Sequence, residues 1–427
     1  MTIHGIWQWA ANHSQTVEID ALRNKTLSID GHIWLYECHK GGQRYNQTGA
    51  SYLVTFFRRC RFLMERNIRP IVVFDAVNRP PQPGSFAFSE RKNLNWHDLT
   101  NSSNLADRVF KCQAMLRHLG VTVIIAKGEG EAQCAELEME GITDGCITTD
   151  FDYFIFGGRN LYKIQFNTNG VKSIMHCSMD NLEANTKIYR NGLIAMAILL
   201  GCDFYDSGVE NCGIVTALDV LTEFHGREAD HHPLQILDRF ASYVRGEVPE
   251  RSEDSERKLR LKRREYGFDR TFPNTDEILM ALKIYENPNT YTFSKDTFTS
   301  PPCTDLRRVE RILVHECGWT AEKMKQELEI SEKRSKKFHE ATIQKKIPDF
   351  FKMSKRTNSL VEQCSVDEYL KSNNNWFQQR KRRSDVSPSS STTPQSSRTR
   401  TPKISKISSS HKSSDDSIEI IEILDSD

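Results

Sequence analysis

The chain has 427 residues, 11 cysteines and a formal net charge of +1, a length that favours one large domain or two modest ones over a single small core. The odd cysteine count, with no Cys-X-X-Cys pair, argues against a disulfide framework and a zinc ribbon. Because the sequence shows no signal peptide and no apolar run long enough to cross a bilayer, we expect a soluble, intracellular protein without a membrane partner.

Short β-rich runs alternate with amphipathic stretches in the first half of the chain. Four of these runs are predicted strands: 26–29, 71–74, 121–126 and 145–149. They are apolar without strict alternation, as expected of strands covered on both faces. Helical spacing of apolar residues occupies 51–66 and 105–119. This order predicts an α/β fold with a central, mostly parallel sheet flanked by helices.

Acidic residues follow the ends of the predicted strands. In chain order they are Asp30, Asp75, Glu129 with Glu131, and Asp150 with Asp152. Asp203 follows a later apolar run, 194–200. Because sites in open parallel sheets form outside the carboxyl ends of the strands, we expect all seven side chains to gather at one edge.

A cluster of carboxylates is unstable without a cation, because like charges repel. Oxygen ligands suit Mg²⁺ or Mn²⁺ better than zinc, and a pair of such ions can activate water for phosphodiester cleavage. Any single acid after a strand is more often a helix cap or a turn residue. The prediction of a metal-dependent site therefore rests on the repeated occurrence of acids after strands, and not on any single acid.

The motifs around these acids resemble the flap endonuclease and XPG superfamily of structure-specific nucleases. The matching segments are Ile29-Asp30, Val73-Phe74-Asp75, Glu129 to Ala135, Thr149 to Asp152 and Leu199 to Asp203. The resemblance covers roughly residues 1–340 and implies a PIN-like nuclease core. It implies that the seven acids are the catalytic ligands of two Mg²⁺ ions, with Mn²⁺ able to substitute. The implied reaction is hydrolysis of DNA near a junction of double and single strands.

Local features are similar to the Holliday-junction resolvase branch, in particular Asp30 followed by Trp34 and Glu37. We therefore expect a nuclease that resolves four-way junctions, cuts 5′ flaps and dimerises on the junction. One alternative is a 5′-flap endonuclease that works with a sliding clamp in replication or excision repair. Another is a non-catalytic scaffold that binds junctions, which the complete acid set disfavours. Residue 2 is Thr where the family usually has glycine.

The segment 208–213 resembles the family's helix–two-turn–helix, a DNA-binding element that is also a candidate K⁺ site. The predicted phosphate contacts there are Gly208, Val209 and Gly213. Two glycines five residues apart are ordinarily just a turn. Glu210 stands where the family commonly has proline.

Two basic segments are further candidates for DNA binding. In the block 257–264 the predicted phosphate contacts are Arg257, Arg260 and Arg263; a solvated helix face is the ordinary alternative. Arg91 and Lys92 loosely match basic residues of the family's arch, and two solvated surface charges are an equally good interpretation.

The last part of the chain has a different composition. Residues 384–417 are dominated by Ser, Thr, Pro, Lys and Arg, which predicts a disordered tail. We divide the chain into an N-terminal nuclease segment (1–100), an internal nuclease segment (101–205), a helical region with the DNA-binding element (206–340) and a tail (341–427).

The tail contains three candidate interaction motifs. A sliding-clamp box is suggested by Gln344, Ile347, Phe350 and Phe351, with a helix packed on the domain as the alternative. The basic run 380–383 predicts nuclear import. The β-prone end, flanked by acids, resembles a segment that binds small ubiquitin-like modifiers by strand addition. Its candidate contacts are Ile418, Ile420, Ile421 and Ile423.

Overall fold

The computed structural model describes residues 6–42, 50–76, 102–167, 170–225, 231–298 and 303–345. Within them, no helix is long and apolar enough to span a membrane. The ten cysteines in this part of the chain are free thiols, and seven of them are buried. Such buried thiols act as small core residues.

A seven-stranded sheet forms the centre of the protein, in the order β1-β7-β6-β5-β2-β3-β4. The strands are β1 (Gln15–Val17), β2 (Thr26–Asp30), β3 (Arg69–Phe74), β4 (Thr122–Ile125), β5 (Cys146–Ile147), β6 (Asn160–Asn167) and β7 (Gly170–Ser178). Strands β6, β5, β2, β3 and β4 are parallel, whereas β7 and β1 add antiparallel pairs at one edge. The predicted mostly parallel sheet is confirmed.

Helices cover both faces of the sheet. They are α1 (Ile6–Ala11), α2 (Gly31–Gly42), α3 (Ser51–Met64), α4 (Ser102–Leu119), α5 (Gly130–Met139), α6 (Asp152–Ile155), α7 (Met179–Thr186), α8 (Arg190–Leu200), α9 (Ile214–Phe224), α10 (Pro233–Val244), α11 (Glu256–Lys262), α12 (Asp276–Glu286), α13 (Leu306–Cys317) and α14 (Ala321–Lys345). The helices predicted at 51–66 and 105–119 are present as α3 and α4.

Strand β3 shows why the central strands lack polar alternation. Ile71 and Val73 lie in the core on one face of the sheet, whereas Val72 and Phe74 lie in the core on the other. Successive side chains of a strand point to opposite faces, so a strand covered on both sides must be apolar throughout.

The helices after residue 206 do not form a core of their own. Helices α9, α10 and α12 share one core with α5, α6 and α8, which we call the first core; it lies on the face of the sheet that carries Ile71 and Val73. The second core lies on the other face, with Val72 and Phe74. Helix α13 instead packs against α3 and α4 in the second core, where Val309 and Leu313 are fully buried. Helices from both sides of the predicted 205/206 boundary thus pack into the same two cores.

One local expectation was wrong, and one element was missed. The strand predicted at 145–149 ends at Ile147, because the Thr148 side chain turns to bind Asp30. The hairpin of β6 and β7 was not predicted, because its segments carry many polar residues.

We predict that Leu313→Ala lowers the free energy of unfolding by about 2–5 kcal/mol, because the truncation leaves a cavity under α13. The adjacent Val314 is 42% exposed, so Val314→Ala is the matched control and should cost less than about 0.5 kcal/mol. Urea unfolding monitored by circular dichroism measures both. Equal, small losses would contradict the placement of α13 in the second core.

Candidate active site

Asp30 and Asp75 lie side by side at the carboxyl edge of the sheet. Asp30 is the last residue of β2 and Asp75 directly follows β3, its parallel neighbour. Asp30 is only 1% exposed. Its Oδ1 accepts a hydrogen bond from the Ile33 amide at 3.0 Å, and its Oδ2 accepts one from the Thr148 hydroxyl at 3.0 Å. Asp30 thus caps the start of α2 and also faces the cluster.

The start of α5 brings Glu129 and Glu131 to Asp75. Glu129 has extended backbone angles and precedes the first helical residue, Gly130, so the two glutamates need not diverge as they would inside a regular helix. The Gly130 amide donates to Asp75 Oδ1 at 2.8 Å. One carboxylate oxygen from each of Asp75, Glu129 and Glu131 lies within 4.8 Å of the others, close enough to share a metal ion.

Asp150, Asp152 and Asp203 form the other side of the cluster. The Asp152 amide donates to Asp150 Oδ1 at 3.1 Å, and Asp152 Oδ2 accepts from the Tyr285 hydroxyl at 2.9 Å. Phe151 between them has helical backbone angles, so the two acids are joined by a turn and not by an extended segment. Asp203 follows α8 and adds its charge to that of Asp152.

The pKa values show that the acids act on one another. Burial, and next the charge of Asp75, raise the pKa of Asp30 to about 6. Burial, followed by the charges of Asp30, Asp75 and Asp150, holds the pKa of Glu131 well above its usual range. Burial, followed by Asp150 and Asp203, does the same to the pKa of Asp152. The ionised cluster is therefore costly without a compensating cation.

His32 is a neighbour of the cluster that sequence reasoning missed. Its Nδ1 accepts a hydrogen bond from the Asp75 amide at 3.1 Å and lies 3.4 Å from Asp75 Oδ2. Burial lowers the pKa of His32, which favours the neutral ring. The histidine therefore positions Asp75 without balancing its charge.

The donor set fits a divalent metal ion. Every candidate ligand is a carboxylate oxygen, the type that Mg²⁺ and Mn²⁺ prefer. Asp152 Oδ1 is buried and has no hydrogen-bond partner among the described residues, as expected of an oxygen that a metal or its water would bind. The Thr148 hydroxyl donates to Asp30 Oδ2, and the Tyr285 hydroxyl donates to Asp152 Oδ2.

The predicted helix–two-turn–helix corresponds to α8, two turns and α9. Gly208 has a positive φ of 57°, and a Cβ there would lie 2.7 Å from the Gly201 nitrogen, so packing requires this glycine. Val209 is buried and its amide donates to the Leu199 carbonyl, so the Val209 amide is engaged within the protein. Gly213, which precedes α9, has open space around it and remains a candidate phosphate contact.

Most of the basic block lies in α11 (Glu256–Lys262), and Arg263 ends that helix. Arg257 pairs with Asp219 at 3.2 Å and with Glu223 at 3.5 Å. Arg260 lies 3.9 Å from Asp219 and is half exposed. Arg263 is the exposed residue that ends the helix. Arg257 is thus held by the protein's own acids, whereas Arg260 and Arg263 are accessible to DNA.

The resolvase-like residues near Asp30 are structural in this protein. Trp34 is buried against Phe56 and Phe166, and Glu37 pairs with Arg59 at 2.6 Å.

Gln344 lies near the end of α14. The other predicted contacts lie outside the described residues: Arg91, Lys92, Ile347, Phe350, Phe351, Ile418, Ile420, Ile421 and Ile423.

Comparison with known proteins agrees with this site. The XPG N-terminal domain matches residues 1–93 and the XPG I-region matches residues 120–203, which together contain all seven acids. The mouse flap endonuclease GEN homolog 1 is 27% identical over 252 residues, covering 57% of this chain and 27% of that protein. Mouse DNA excision repair protein ERCC-5 is 42% identical over 118 residues, covering 28% of this chain and 10% of the relative. The chain thus spans about a quarter of its GEN relative.

Two solved structures share the fold. The catalytic core of Rad2 in complex with DNA substrate has a TM-score of 0.60 at 26% identity, covering 76% of this chain and 98% of that one. Human GEN1 in complex with Holliday junction DNA has a TM-score of 0.60 at 22% identity, covering 78% of each chain. At that identity the GEN1 likeness shows the fold alone.

We predict that Mg²⁺ raises the melting temperature at pH 7.5 and that Glu131→Gln removes most of this rise. The folded-state pKa of Asp30 exceeds its unfolded value, so the metal-free chain loses stability as pH rises from about 4 to 6. Metal binding offsets this repulsion, and its effect should be smaller at pH 5.

Differential scanning fluorimetry with and without Mg²⁺ measures these shifts. Without metal, Glu131→Gln should melt above the wild type, because it removes one of the repelling charges. Glu136→Gln, on the same helix outside the cluster, is the control and should keep the Mg²⁺ response. An unchanged response in Glu131→Gln would reject this residue as a ligand.

Proposed function

We propose that the chain is a Mg²⁺-dependent, structure-selective DNA endonuclease of the XPG family, because the XPG N-terminal domain and the XPG I-region match residues 1–93 and 120–203. It would resolve four-way junctions and cut 5′ flaps in DNA repair and recombination. The observation that carries the proposal is the convergence of seven acids at the carboxyl edge of the sheet. The relatives named flap endonuclease GEN homolog 1 support an endonuclease of this kind, and the fold is shared with human GEN1 in complex with Holliday junction DNA.

In this proposal the acids are ligands of the cation, and neighbouring side chains position the acids by hydrogen bonds. Asp75, Glu129 and Glu131 form one part of the ligand set, and Asp150, Asp152 and Asp203 form the other, with Asp30 beside both. Bound Mg²⁺ or Mn²⁺ ions would supply an activated water and stabilise the leaving oxygen. Thr148 and Tyr285 fix Asp30 and Asp152, so that the ligand oxygens are preorganised.

Duplex DNA would bind next to this site. Gly213 at the start of α9 offers backbone N–H groups, while Arg260 and Arg263 offer charge to phosphates. Arg91 and Lys92 remain proposed contacts near the scissile phosphate. The turns between α8 and α9 remain the proposed K⁺ site.

We also propose the partners that the sequence suggests. The enzyme would dimerise on a junction, because resolution requires two cuts. The box from Gln344 to Phe351 would bind a sliding clamp, and the segment 418–423 a small ubiquitin-like modifier. The basic run 380–383 and the DNA substrate both favour the nucleus.

Two other functions compete with this one. A flap endonuclease working with the clamp would share the same site and differ in substrate. A non-catalytic scaffold would bind junctions without cutting them, and the complete, clustered acid set argues against it. The substrate preference therefore needs a direct comparison.

We predict that the protein introduces two symmetric nicks into an intact four-way junction and also cuts a 5′ flap, each only with Mg²⁺. Sequencing-gel mapping of both labelled substrates under matched conditions measures this. Cleavage of the flap alone would favour the flap endonuclease, and binding without cleavage would favour the scaffold.

We predict that Asp30→Ala lowers the cleavage rate by roughly 10³-fold or more, because metal-based charge stabilisation contributes several kcal/mol. DNA affinity should be kept or increased, because an anion near phosphate is removed. Single-turnover cleavage in Mg²⁺ and a binding titration in Ca²⁺ separate the two effects. Asp20→Ala, at an exposed acid away from the cluster, is the control, and retained cleavage by Asp30→Ala would reject its role.

A further inference from the structure

His32 lies beside the carboxylate cluster, in the first turn of α2. It follows Asp30 by two residues, and its ring nitrogen Nδ1 lies 3.1 Å from the Asp75 amide nitrogen and 3.4 Å from Asp75 Oδ2. The motifs that predicted the acid cluster do not include this histidine. Its imidazole brings a hydrogen-bond donor to the cluster, which ionised carboxylates cannot supply.

Packing and a hydrogen bond fix the orientation of the His32 ring. The ring packs nearly at right angles to the Phe74 ring, with the two centroids 5.6 Å apart. A Cβ at Gly31 would lie 2.5 Å from the Phe74 ring, so the glycine lets Phe74 lie against the start of α2. The Asp75 amide then binds Nδ1. The ring is therefore held on two sides by the protein.

The hydrogen bond from the Asp75 amide decides which ring nitrogen carries the proton. A backbone N–H is a donor, so Nδ1 must offer its lone pair, and the proton of the neutral ring is then on Nε2. Nε2 has no hydrogen-bond partner among the described residues, and it is absent from the buried polar atoms that lack one there. Because the His32 side chain is 17% exposed, its Nε2–H is directed to solvent at the carboxylate edge.

A phosphate at this edge needs such donors. Its oxygens only accept hydrogen bonds, and the ionised acids repel it, so N–H and O–H groups must assist the cations that bind it. The hydroxyls of Thr148 and Tyr285 already donate to acids of the cluster. The Gly130 amide likewise donates to a carboxylate. The His32 Nε2–H, in contrast, is available to a ligand.

We propose that His32 Nε2–H donates a hydrogen bond to a non-bridging phosphate oxygen of the DNA strand bound at the carboxylate edge. The proposal rests on the nuclease function above and names a further group that touches the substrate. Because Phe74 and the Asp75 amide hold the ring before DNA arrives, the donor is preorganised. A hydrogen bond to a charged phosphate should contribute roughly 10- to 100-fold to affinity.

Two substitutions separate this contact from the support that His32 gives to Asp75. An asparagine side chain places its carbonyl oxygen near the Nδ1 position, so His32→Asn still accepts from the Asp75 amide but lacks the outward donor. A glutamine side chain places an N–H near the Nε2 position, so His32→Gln keeps the donor and loses the acceptor. His315→Asn is the matched control, because the His315 side chain is 85% exposed in the last turn of α13.

Binding titrations of full-length protein with 5′-flap DNA in Ca²⁺ measure the contact without turnover. His32→Asn should lower the affinity roughly 10- to 100-fold, whereas His32→Gln and His315→Asn should bind nearly as tightly as the wild type. The Mg²⁺-induced rise in melting temperature should show the opposite order, with His32→Asn keeping it and His32→Gln losing part of it. Wild-type affinity in His32→Asn, or weaker binding by His32→Gln than by His32→Asn, would overturn the proposal.

A methylphosphonate, in which a methyl group replaces one non-bridging oxygen, identifies the phosphate that His32 contacts. It is placed in turn at the cut phosphate and at the phosphates on either side, as separated stereoisomers. At one position it should weaken Ca²⁺-supported binding of the wild type much more than that of His32→Asn, because the variant has already lost the contact. Equal losses in both proteins at every position would contradict the contact. Failure of the nuclease function would be seen separately, as DNA that binds in Ca²⁺ but is not cut in Mg²⁺.

Discussion

Repulsion among seven carboxylates at one edge of the sheet is the constraint on which the rest of the site depends. Burial and neighbouring charge together raise the pKa values of Asp30, Glu131 and Asp152. Protonation of some carboxyl groups or binding of a cation would relieve this repulsion. His32 does not, because its buried ring favours the neutral form. In the proposed function, a bound metal ion would remove this electrostatic cost.

The parallel sheet explains how distant parts of the chain reach this edge. Neighbouring strands β2 and β3 end together, so Asp30 and Asp75 meet although 45 positions separate them. The start of α5 adds the two glutamates because the Gly130 amide binds Asp75. The region after residue 206 returns to the site through Tyr285, whose hydroxyl holds Asp152. The geometry of the acid cluster therefore depends on α12 as well as on the sheet.

The sequence predicted the features that repeat along the chain. Apolar strands followed by acids identified the sheet, its direction and the seven residues at its edge. It did not reveal Thr148, His32 or Tyr285, because their contacts depend on tertiary structure: Tyr285 lies 133 positions from Asp152. For the same reason Val209 and Arg257 were predicted to bind DNA, whereas the structure engages them with Leu199 and Asp219.

The most direct test of this account is anomalous diffraction from crystals of the protein soaked in Mn²⁺. We expect two Mn²⁺ peaks at the carboxyl edge of the sheet, one bounded by Asp75, Glu129 and Glu131 and both within reach of carboxylate oxygens from the cluster. Peaks located elsewhere, or none at this edge at saturating Mn²⁺, would contradict the claim that these acids exist to hold metal.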